Sequence, residues 1–329
     1  MRGNAMPFVV ERPGMLTLVQ DLGRWGYQAR GVPVSGPMDQ FSLRTGNVML
    51  GNCPNDAALE VTLFGLDITF TEERCVVLAG AELAVTIDGN AAPAWTVRRV
   101  RPGSRISVTG LPREPASGCR AYLCVSGGID VPPVMGSRST YTRAGLGGYK
   151  GRALKAGDVI GLCEPRPLWR RSEGFVCPPE LRPALFVNEP LTASDGPQKD
   201  AFTEEGIETF CSSPYRIAGD SDRMGYRLEG PALAHRKGAD IISDGIPLGA
   251  VQVPADGQPI VMMADRQTIG GYAKIAVVSS WSCARLAQRL PGETVRFHRV
   301  GEKEAAEELF DFEKKLEILD AARASYRSR

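Results

Sequence analysis

The stretch CVVLAGAELAVTIDG, residues 75–89, decides how the chain is interpreted. It contains two short runs of β-forming residues, at 75–78 and 84–87, separated by Gly80 and Ala81 and followed by Asp88-Gly89. An Asp-Gly pair at the end of such a run is typical of a tight hairpin turn. The stretch therefore predicts two short strands, the second of which ends in a hairpin turn at Asp88-Gly89.

Similar β-forming runs occur at residues 66–70, 106–108, 121–125 and 275–278, separated by abundant glycine (37) and proline (24). Short strands with turn signals roughly every 8–12 residues favour sandwiches or barrels. A glycine-centred turn that leads into a strand recurs at 102–108, 156–162 and 291–297. Two further pairs of similar segments, 35–39 with 219–224 and 80–89 with 249–257, indicate two related β lobes, although glycine-rich turns also match by chance. The predicted fold class is mostly β.

Two helices are predicted. Asp39 can cap a helix that runs through Leu50 and stops at Gly51, although Gly46 lies inside it. The tail from Glu302 has apolar residues at spacings of three and four, namely Leu309, Phe312, Leu316 and Leu319. This spacing predicts an amphipathic helix that closes the second lobe. The predicted organisation is an N-terminal β lobe at 7–165, a Pro- and Arg-rich connector at 166–183, a second β lobe at 184–300 and the C-terminal helix at 301–329.

Length and charge restrict the class of protein. A chain of 329 residues suits two domains with sizeable cores. A net charge of +1 gives no indication of a nucleic-acid or membrane partner. The first ten residues, MRGNAMPFVV, resemble no signal peptide, and no apolar run approaches the about 18 residues that span a bilayer. We therefore expect a soluble, cytoplasmic protein.

Cysteine and histidine patterns argue against metal and nucleophilic chemistry. None of the eight cysteines forms a CxxC pair, and His235 and His298 are the only histidines. No metal site and no Ser/His/Asp triad can be assembled from this set, so we expect reduced and mostly buried thiols.

The densest polar cluster spans residues 252–258 and 264–272, on either side of an apolar strand. Asp265 beside Arg266 can hold a planar amide or ureido group. The other candidate residues here are Gln252, Gln267, Thr268, Gly271 and Tyr272. The alternative is a turn network that satisfies only itself.

A second cluster, residues 220–228, combines Asp222 and Arg223 with Tyr226 as an aromatic wall. A surface patch of ion pairs would explain the same residues. Near the N-terminus, Ser35 and Asp39 lie at a predicted helix start, where free N–H groups favour anions, although capping alone would also explain them.

The third candidate region combines hydroxyl groups with a glycine-rich loop. Arg138, Ser139 and Thr140 precede the loop at 143–152, which contains Gly147 and Gly148. The loop is not a Walker motif, because no Gly-Lys-Ser/Thr follows it and no helix is predicted behind it. It is not a dinucleotide fingerprint either, because Lys150 takes the place of the third glycine. It either closes over an anionic ligand or is a plain surface loop.

Together these motifs resemble the biotin-dependent-carboxyltransferase-like family. That family includes the C subunit of bacterial 5-oxoprolinase, the Kip-inhibitor antagonist, allophanate hydrolase subunit 2 and the C-terminal half of the urea carboxylase carboxyltransferase domain. The resemblance runs from about residue 7 to residue 300 and rests on residues 20–24, 31–39, 51–52, 58–60, 127–129, 136–140, 145–152, 157–158, 222–228 and 265–272.

The resemblance implies two cyclophilin-like β-barrel lobes and a partner subunit that completes the active cleft. The expected function is that of the C subunit in an ATP-dependent 5-oxoprolinase. It would act with a smaller β-rich partner, the B subunit, and with a lactam-hydrolase partner, the A subunit, which help to hold ATP. One alternative is a carboxyltransferase component that uses biotin on a separate carrier. Another is a regulatory protein that binds a kinase-inhibitor-like partner. In the first interpretation Asp222, Asp265 and Gln267 are catalytic, and the remaining candidate residues bind the substrate.

Overall fold

The computed structural model describes residues 8–110 and 118–326, which form two compact units. The first unit comprises the described parts of Met1–Arg24, Asp39–Ala184 and Phe312–Arg329. The second comprises Trp25–Met38 and Leu185–Asp311. Each unit has its own cluster of buried apolar side chains.

The first unit is built from two antiparallel sheets. One has the order β11-β12-β1-β4-β9-β6-β7 and the other the order β2-β3-β10-β5-β8. The strands are β1 (Phe8–Pro13), β2 (Leu16–Gln20), β3 (Ala58–Thr62), β4 (Leu66–Phe70), β5 (Arg74–Gly80), β6 (Ala84–Ile87), β7 (Asn90–Ala91), β8 (Arg98–Val100), β9 (Arg105–Gly110), β10 (Arg120–Val125), β11 (Ile129–Asp130) and β12 (Val159–Leu162).

The predicted hairpin is confirmed. Ile87 of β6 pairs with Asn90 of β7, so Asp88 and Gly89 form a two-residue turn. Both turn residues have positive φ, 52° and 80°, which matches the twist of the flanking strands.

Helix α1 (Gln40–Met49) is also confirmed, and it packs against β5 and β10. The Asp39 carboxylate accepts hydrogen bonds from Phe41 N and Ser42 N at the start of the helix. A Cβ on Gly46 would lie 2.8 Å from Cys124 Sγ. Glycine at this position therefore allows the helix to lie close to the sheet.

The second unit contains a nearly closed barrel sheet with the order β21-β14-β15-β18-β17-β20-β13-β22. Its edge strands β21 and β22 are separated in the chain by one residue, Arg296, which brings the two edges together. A two-stranded ribbon is formed by β16 and β19. The elements are β13 (Leu191–Asp195), α2 (Glu204–Ser212), β14 (Tyr215–Ile217), β15 (Gly225–Glu229), β16 (Asp240–Gly245), β17 (Ala250–Gln252), β18 (Ile260–Met262), β19 (Ile269–Tyr272), β20 (Lys274–Val278), α3 (Ser280–Ala287), β21 (Thr294–Val295) and β22 (Phe297–Arg299).

The C-terminal helix is confirmed as α4 (Glu302–Ser325), with Phe312, Leu316 and Leu319 buried. The expectation that it closes the second lobe is wrong for its second half. From Phe312 onwards the helix belongs to the first unit, where Glu313 forms an ion pair with Arg44 of α1. Leu309, expected on the apolar face, is 36% exposed.

The prediction of a mostly β chain with a few helices is confirmed. Within residues 8–110 and 118–326, no helix has both the length and the apolar character needed to cross a membrane.

Candidate functional site

In the second unit, a buried ion pair connects two of the predicted motifs. Arg223 Nε lies 2.9 Å from Asp265 Oδ2, and Arg223 Nη2 lies 3.1 Å from Asp265 Oδ1. Arg223 Nη2 also donates to Gly36 O at 2.6 Å. Both side chains are less than a tenth exposed. The Arg223 guanidinium contacts both carboxylate oxygens of Asp265. Asp265 therefore holds Arg223 in place.

Arg266, the next residue, has a different environment. Its Nε donates to Ile246 O at 2.9 Å and its Nη1 to Met263 O at 3.2 Å. Burial lowers the pKa of the Arg266 guanidinium, although nearby Cys283 and Asp265 partly offset this effect. Among the described residues, no carboxylate forms an ion pair with Arg266. A buried cation held only by carbonyl oxygens retains its capacity to bind an anion.

The side-chain amide groups of two predicted site residues, Gln252 and Gln267, converge on Gly270 of the ribbon. Gln252 Nε2 and Gln267 Nε2 each lie 2.9 Å from the position that a Cβ on Gly270 would occupy. Ile246 Cδ1 lies 2.7 Å from the same position. Because Arg266 donates to the backbone of Ile246, the carboxamides and the buried cation belong to one contiguous region. The absence of a side chain at Gly270 makes room for both amides.

The neighbouring candidates lie on the ribbon or next to it. Tyr272 is 41% exposed, and its carbonyl oxygen accepts from Gln252 Nε2 at 3.5 Å. Gly271 is half-buried, with Ile241 O 3.6 Å from its would-be Cβ. Thr268 O accepts from Ile246 N at 3.0 Å. The structure therefore brings together most of the residues predicted between 252 and 272.

Three other candidates of this unit lie in different surroundings. Asp222 is exposed, and its Oδ1 accepts from Met224 N at 2.8 Å and Gly225 N at 3.3 Å, which closes its own turn. Tyr226 is 3% exposed within the apolar core, and its hydroxyl donates to the backbone at 3.4 Å. Ser35 is buried with φ 56°. The core position of Tyr226 does not present its ring to a ligand.

In the first unit, Asp21 organises the second group of candidates. Its Oδ1 accepts from Ser137 Oγ and Ser139 Oγ, both at 2.6 Å, and its Oδ2 accepts from Arg138 N at 2.5 Å. Thr140 Oγ1 donates to the backbone of β2 at 2.8 Å. These hydroxyls are satisfied within the protein, and their role in binding a ligand stays a prediction.

The glycine-rich loop packs against these same residues. A Cβ on Gly147 would overlap Ser139 O, and one on Gly148 would overlap Thr140 Oγ1. Both glycines are buried and have positive φ. The structure thus brings the four residues together, and close packing is the reason for glycine at both positions.

Two cations of the loop contact neighbouring side chains. Arg152 forms a two-fold hydrogen-bonded ion pair with Asp158, at 2.7 and 2.8 Å. Lys150 Nζ lies 5.0 Å from the ring centroid of Tyr149. At the start of α1, the Asp39 carboxylate accepts hydrogen bonds from two backbone N–H groups. Of the two roles predicted for Asp39, capping the helix is therefore the one that the observed contacts match.

Two cavities lie away from these groups. One, of about 900 Å³ in the first unit, is lined mainly by small aliphatic residues and also by Glu82 and Arg182. Arg182 Nη1 lies 3.5 Å from Glu82 Oε1. Another of about 440 Å³ in the second unit is lined by residues that include His235 and Asp256. Neither lining includes a predicted site residue. The polar groups of Gln252, Gln267 and Arg266 lie around Gly270 and Ile246, and we call this part of the second unit the Gly270 region. We favour it as the candidate site because several polar groups converge there.

Metal and thiol chemistry find no support in the part of the chain that is described. No group of three or more His, Cys, Asp or Glu side chains there is arranged to hold a metal ion. The eight cysteines are unpaired thiols, five of them buried. Burial raises the pKa of Cys75, Cys177 and Cys283 to about 12, which makes them poor nucleophiles.

The sequence did not single out one polar group beside the Gln252 carboxamide. Lys274 is fully buried, and its ammonium lies 3.1 Å from Asp244 Oδ2. Gln198 Nε2 donates to the same oxygen at 3.2 Å. The signal in the sequence that could have identified Lys274 is its position at the start of the apolar run KIAVV, residues 274–278.

The chain is similar to known enzymes and enzyme components. The family model of the carboxyltransferase domain, subdomain A and B, matches residues 30–299. The C subunit of the 5-oxoprolinase of Escherichia coli (strain K12) is 38% identical over 296 residues, which are 89% of this chain and 91% of that protein. The protein of the same name from Haemophilus influenzae is 36% identical over 288 residues, 88% of this chain and 89% of that protein.

The crystal structure of the K. lactis urea amidolyase superposes with a TM-score of 0.89 and 32% identity. The match covers 97% of this chain and 20% of that chain, so the present chain spans about a fifth of that enzyme. The match confirms the predicted fold class, which is mostly β with a nearly closed barrel sheet, a few helices and a C-terminal helix. The resemblance seen in the motifs is also confirmed, and the chain belongs to the family of the carboxyltransferase domain, subdomain A and B.

Proposed function

We propose that the chain is the C subunit of an ATP-dependent 5-oxoprolinase, which cleaves 5-oxoproline to L-glutamate together with partner subunits. The observation that carries this proposal is the match to two proteins named as C subunits of 5-oxoprolinase, which covers 91% and 89% of their lengths. The corresponding share of the K. lactis urea amidolyase structure is 20%.

The Gly270 region has the polar groups that such a substrate requires. 5-Oxoproline is a planar lactam with a carboxylate, so it needs donors for the ring carbonyl and a cation for the carboxylate. The amide groups of Gln252 and Gln267 supply donors, and Arg266 supplies a cation without a carboxylate partner among the described residues. Donors oriented before the reaction stabilise the negative charge that develops on the carbonyl oxygen.

The predicted catalytic residues receive different roles in this proposal. Gln267 contacts the substrate because its side chain is exposed beside Gly270. Asp265 acts through Arg223, which it binds through both oxygens. Asp222 maintains its turn.

The residues of the glycine-rich loop do not fit a phosphate cradle. Gly147 and Gly148 approach Ser139 and Thr140 closely, and Arg152 is paired with Asp158. We therefore assign the binding of ATP to the two partners, the smaller β-rich B subunit and the lactam-hydrolase A subunit.

Reconstitution tests the proposal. The chain is co-expressed with the two partner subunits, and glutamate released from 5-oxoproline is measured with and without ATP. We expect ATP-dependent release that requires this chain. Replacing Gln267 by Leu in the complex should lower kcat by about a hundredfold or more, the usual effect of removing one such donor.

Gln40→Leu, a half-buried glutamine of α1, is the matched control and should retain the wild-type rate. A complex that assembles and binds ATP yet releases no glutamate would contradict the proposal.

A second candidate is a carboxyltransferase component that moves CO2 from carboxybiotin to a urea-like amide. The TM-score of 0.89 with the urea amidolyase favours it. Carboxylation of urea by the chain with a biotinylated carrier, in the absence of glutamate release, would select this candidate.

A further inference from the structure

A buried lysine lies next to the proposed site. Lys274 is 0% exposed at the start of β20, which is otherwise apolar. Lysine is almost never fully buried unless it is paired. Among the described residues its ammonium has one hydrogen-bonded partner, Asp244, whose side chain is 52% exposed. A pair of this kind adds little stability, because desolvation of the ammonium offsets much of the attraction and an apolar side chain would serve as well.

The carboxylate of Asp244 is held by three donors. Lys274 Nζ lies 3.1 Å and Gln198 Nε2 3.2 Å from Oδ2, and Gly245 N lies 2.7 Å from Oδ1. The hydrogen bond from Lys274, followed by those from Gly245 and Gln198, lowers the pKa of Asp244. Asp244 is therefore an ionised acceptor with a fixed orientation, and its exposure leaves it open to a ligand.

Strand register brings this carboxylate to the carboxamides. Asp244 of β16 pairs with Gly270 of β19, and Gln252 of β17 pairs with Lys274 of β20. Directly opposed residues on neighbouring strands present their side chains on the same face, with Cβ atoms roughly 5 Å apart. The would-be Cβ of Gly270 is also the point on which Gln252 and Gln267 converge. One small region thus contains two amide donors and one carboxylate acceptor.

We infer that Asp244 contacts the ligand directly and accepts the N–H of a small lactam or ureido group whose carbonyl oxygen is bound by Gln252 and Gln267. Lys274 and Gln198 are positioning residues that act through Asp244. The inference rests on the proposed function for the amide class of the ligand. It adds a carboxylate acceptor beside Gly270, since Asp222 closes its own turn and Asp265 binds Arg223.

Binding of 5-oxoproline, N-methyl-5-oxoproline and urea to the reconstituted complex, measured by calorimetry, tests the inference. A hydrogen bond to a charged group is worth about tenfold to a hundredfold in affinity. The wild-type complex should bind 5-oxoproline that much more tightly than its N-methyl derivative, which lacks the N–H. Asp244→Asn should lose most of this discrimination, because the amide oxygen accepts only a weaker, neutral hydrogen bond. Asp240→Asn, an exposed aspartate of the same strand, is the control and should retain it.

The role of Lys274 needs a readout that stability alone does not change. Ligand affinity should fall on acidification as Asp244 becomes protonated, and this fall is the acid limb of the binding curve. In Lys274→Met the acid limb should lie at higher pH, because Asp244 has lost the donor that lowers its pKa most. An unchanged acid limb with only a lower unfolding temperature would overturn the positioning role.

Failure of the inference and failure of the proposed function give different results. If Asp244→Asn binds 5-oxoproline as Asp240→Asn does, with discrimination intact, the inference is overturned and the proposed function stands. If the wild-type complex binds urea in place of 5-oxoproline, the proposed function fails. The inference then requires Asp244→Asn to weaken urea binding and Asp240→Asn to leave it unchanged. A complex that binds neither compound overturns both.

Discussion

The ring of Phe312 in α4 meets the ring of Phe41 in α1 edge-on, with centroids 4.7 Å apart and planes inclined at 84°. The Arg44 guanidinium lies 5.1 Å from the centroid of the Phe312 ring. Phe312 is 1% exposed, so this contact fixes the second half of the C-terminal helix to the first unit.

Phe312→Ala should therefore lower the free energy of unfolding by about 3–5 kcal/mol, the usual cost of truncating a buried phenylalanine. Phe310, two residues earlier on the same helix, is 65% exposed. Its replacement by alanine should change stability by less than about 0.5 kcal/mol. Urea unfolding followed by circular dichroism measures both, and equal effects would show that the contact with Phe41 is not formed.

The buried pair of Arg223 and Asp265 predicts a stability effect. Asp265→Asn keeps the volume of the side chain and removes the charge that compensates the buried guanidinium. Breaking a buried pair in this way should cost about 3–5 kcal/mol. Asp220→Asn breaks the exposed pair with Arg227, whose side chains are 69% and 54% exposed, and should cost about 1 kcal/mol or less.

Thermal unfolding of these two variants gives the comparison. A normal unfolding curve for Asp265→Asn, combined with a loss of turnover of about 10²–10⁴-fold, would instead restore the base role predicted from the sequence.

Gly151 is expected to tolerate no side chain. Its φ is 68°, and an added Cβ would overlap the carbonyl oxygen of Gly145. Gly157 has φ 84°, with no atom within 4 Å of its would-be Cβ. Both alanine variants share the left-handed backbone cost of about 1–2 kcal/mol. Gly151→Ala should lose about 1–3 kcal/mol more from overpacking. Chemical denaturation measures the difference, and equal losses would refute the close approach of Gly151 to Gly145.

Asp67 predicts acid sensitivity. Burial alone would raise its pKa, but hydrogen bonds from Arg12, Ser107 and Arg105 outweigh burial and lower the pKa from 3.8 to about 2. Because the folded-state pKa is the lower one, the carboxylate contributes stability above about pH 4 and loses that contribution as the pH falls towards 2.

Asp67→Asn should therefore be less stable than wild type at pH 7 and should lose less stability between pH 4 and pH 2. Asp311→Asn, an exposed aspartate of α4, should keep the wild-type pH dependence. Melting temperatures across this pH range provide the measurement. Parallel curves for wild type and Asp67→Asn would rule out a lowered pKa.

Much of the local structure could be predicted from the sequence, because its determinants are close together in the chain. Asp39 caps α1 through N–H groups two and three residues away. Asp88-Gly89 forms its turn from two adjacent residues that adopt positive φ. Gly103, Gly157 and Gly292 each have positive φ in the recurring turn that leads into a strand. The family motifs are local in the same sense.

The candidate site could be predicted only in part. Most polar residues between 252 and 272 were identified because they cluster in the sequence, and the structure brings them together around Gly270. The pattern could not show that the Tyr226 ring lies in the core, since a single aromatic residue in a polar segment does not reveal which face of β15 is covered. It also missed Asp244 and Lys274, which are separated by 30 positions and meet only through strand register.

The sequence by itself determined the β class, the hairpin, the two helices α1 and α4 and the family, because each depends on residues within a few positions of one another. Tertiary structure alone decided that Trp25–Met38 joins the second unit and that helix α4 from Phe312 onwards joins the first. It also decided that Asp265 is bound by Arg223 and Asp244 by Lys274. Periodicity records that a side chain is buried or exposed, whereas the choice of partner depends on which distant strands become neighbours in the sheet.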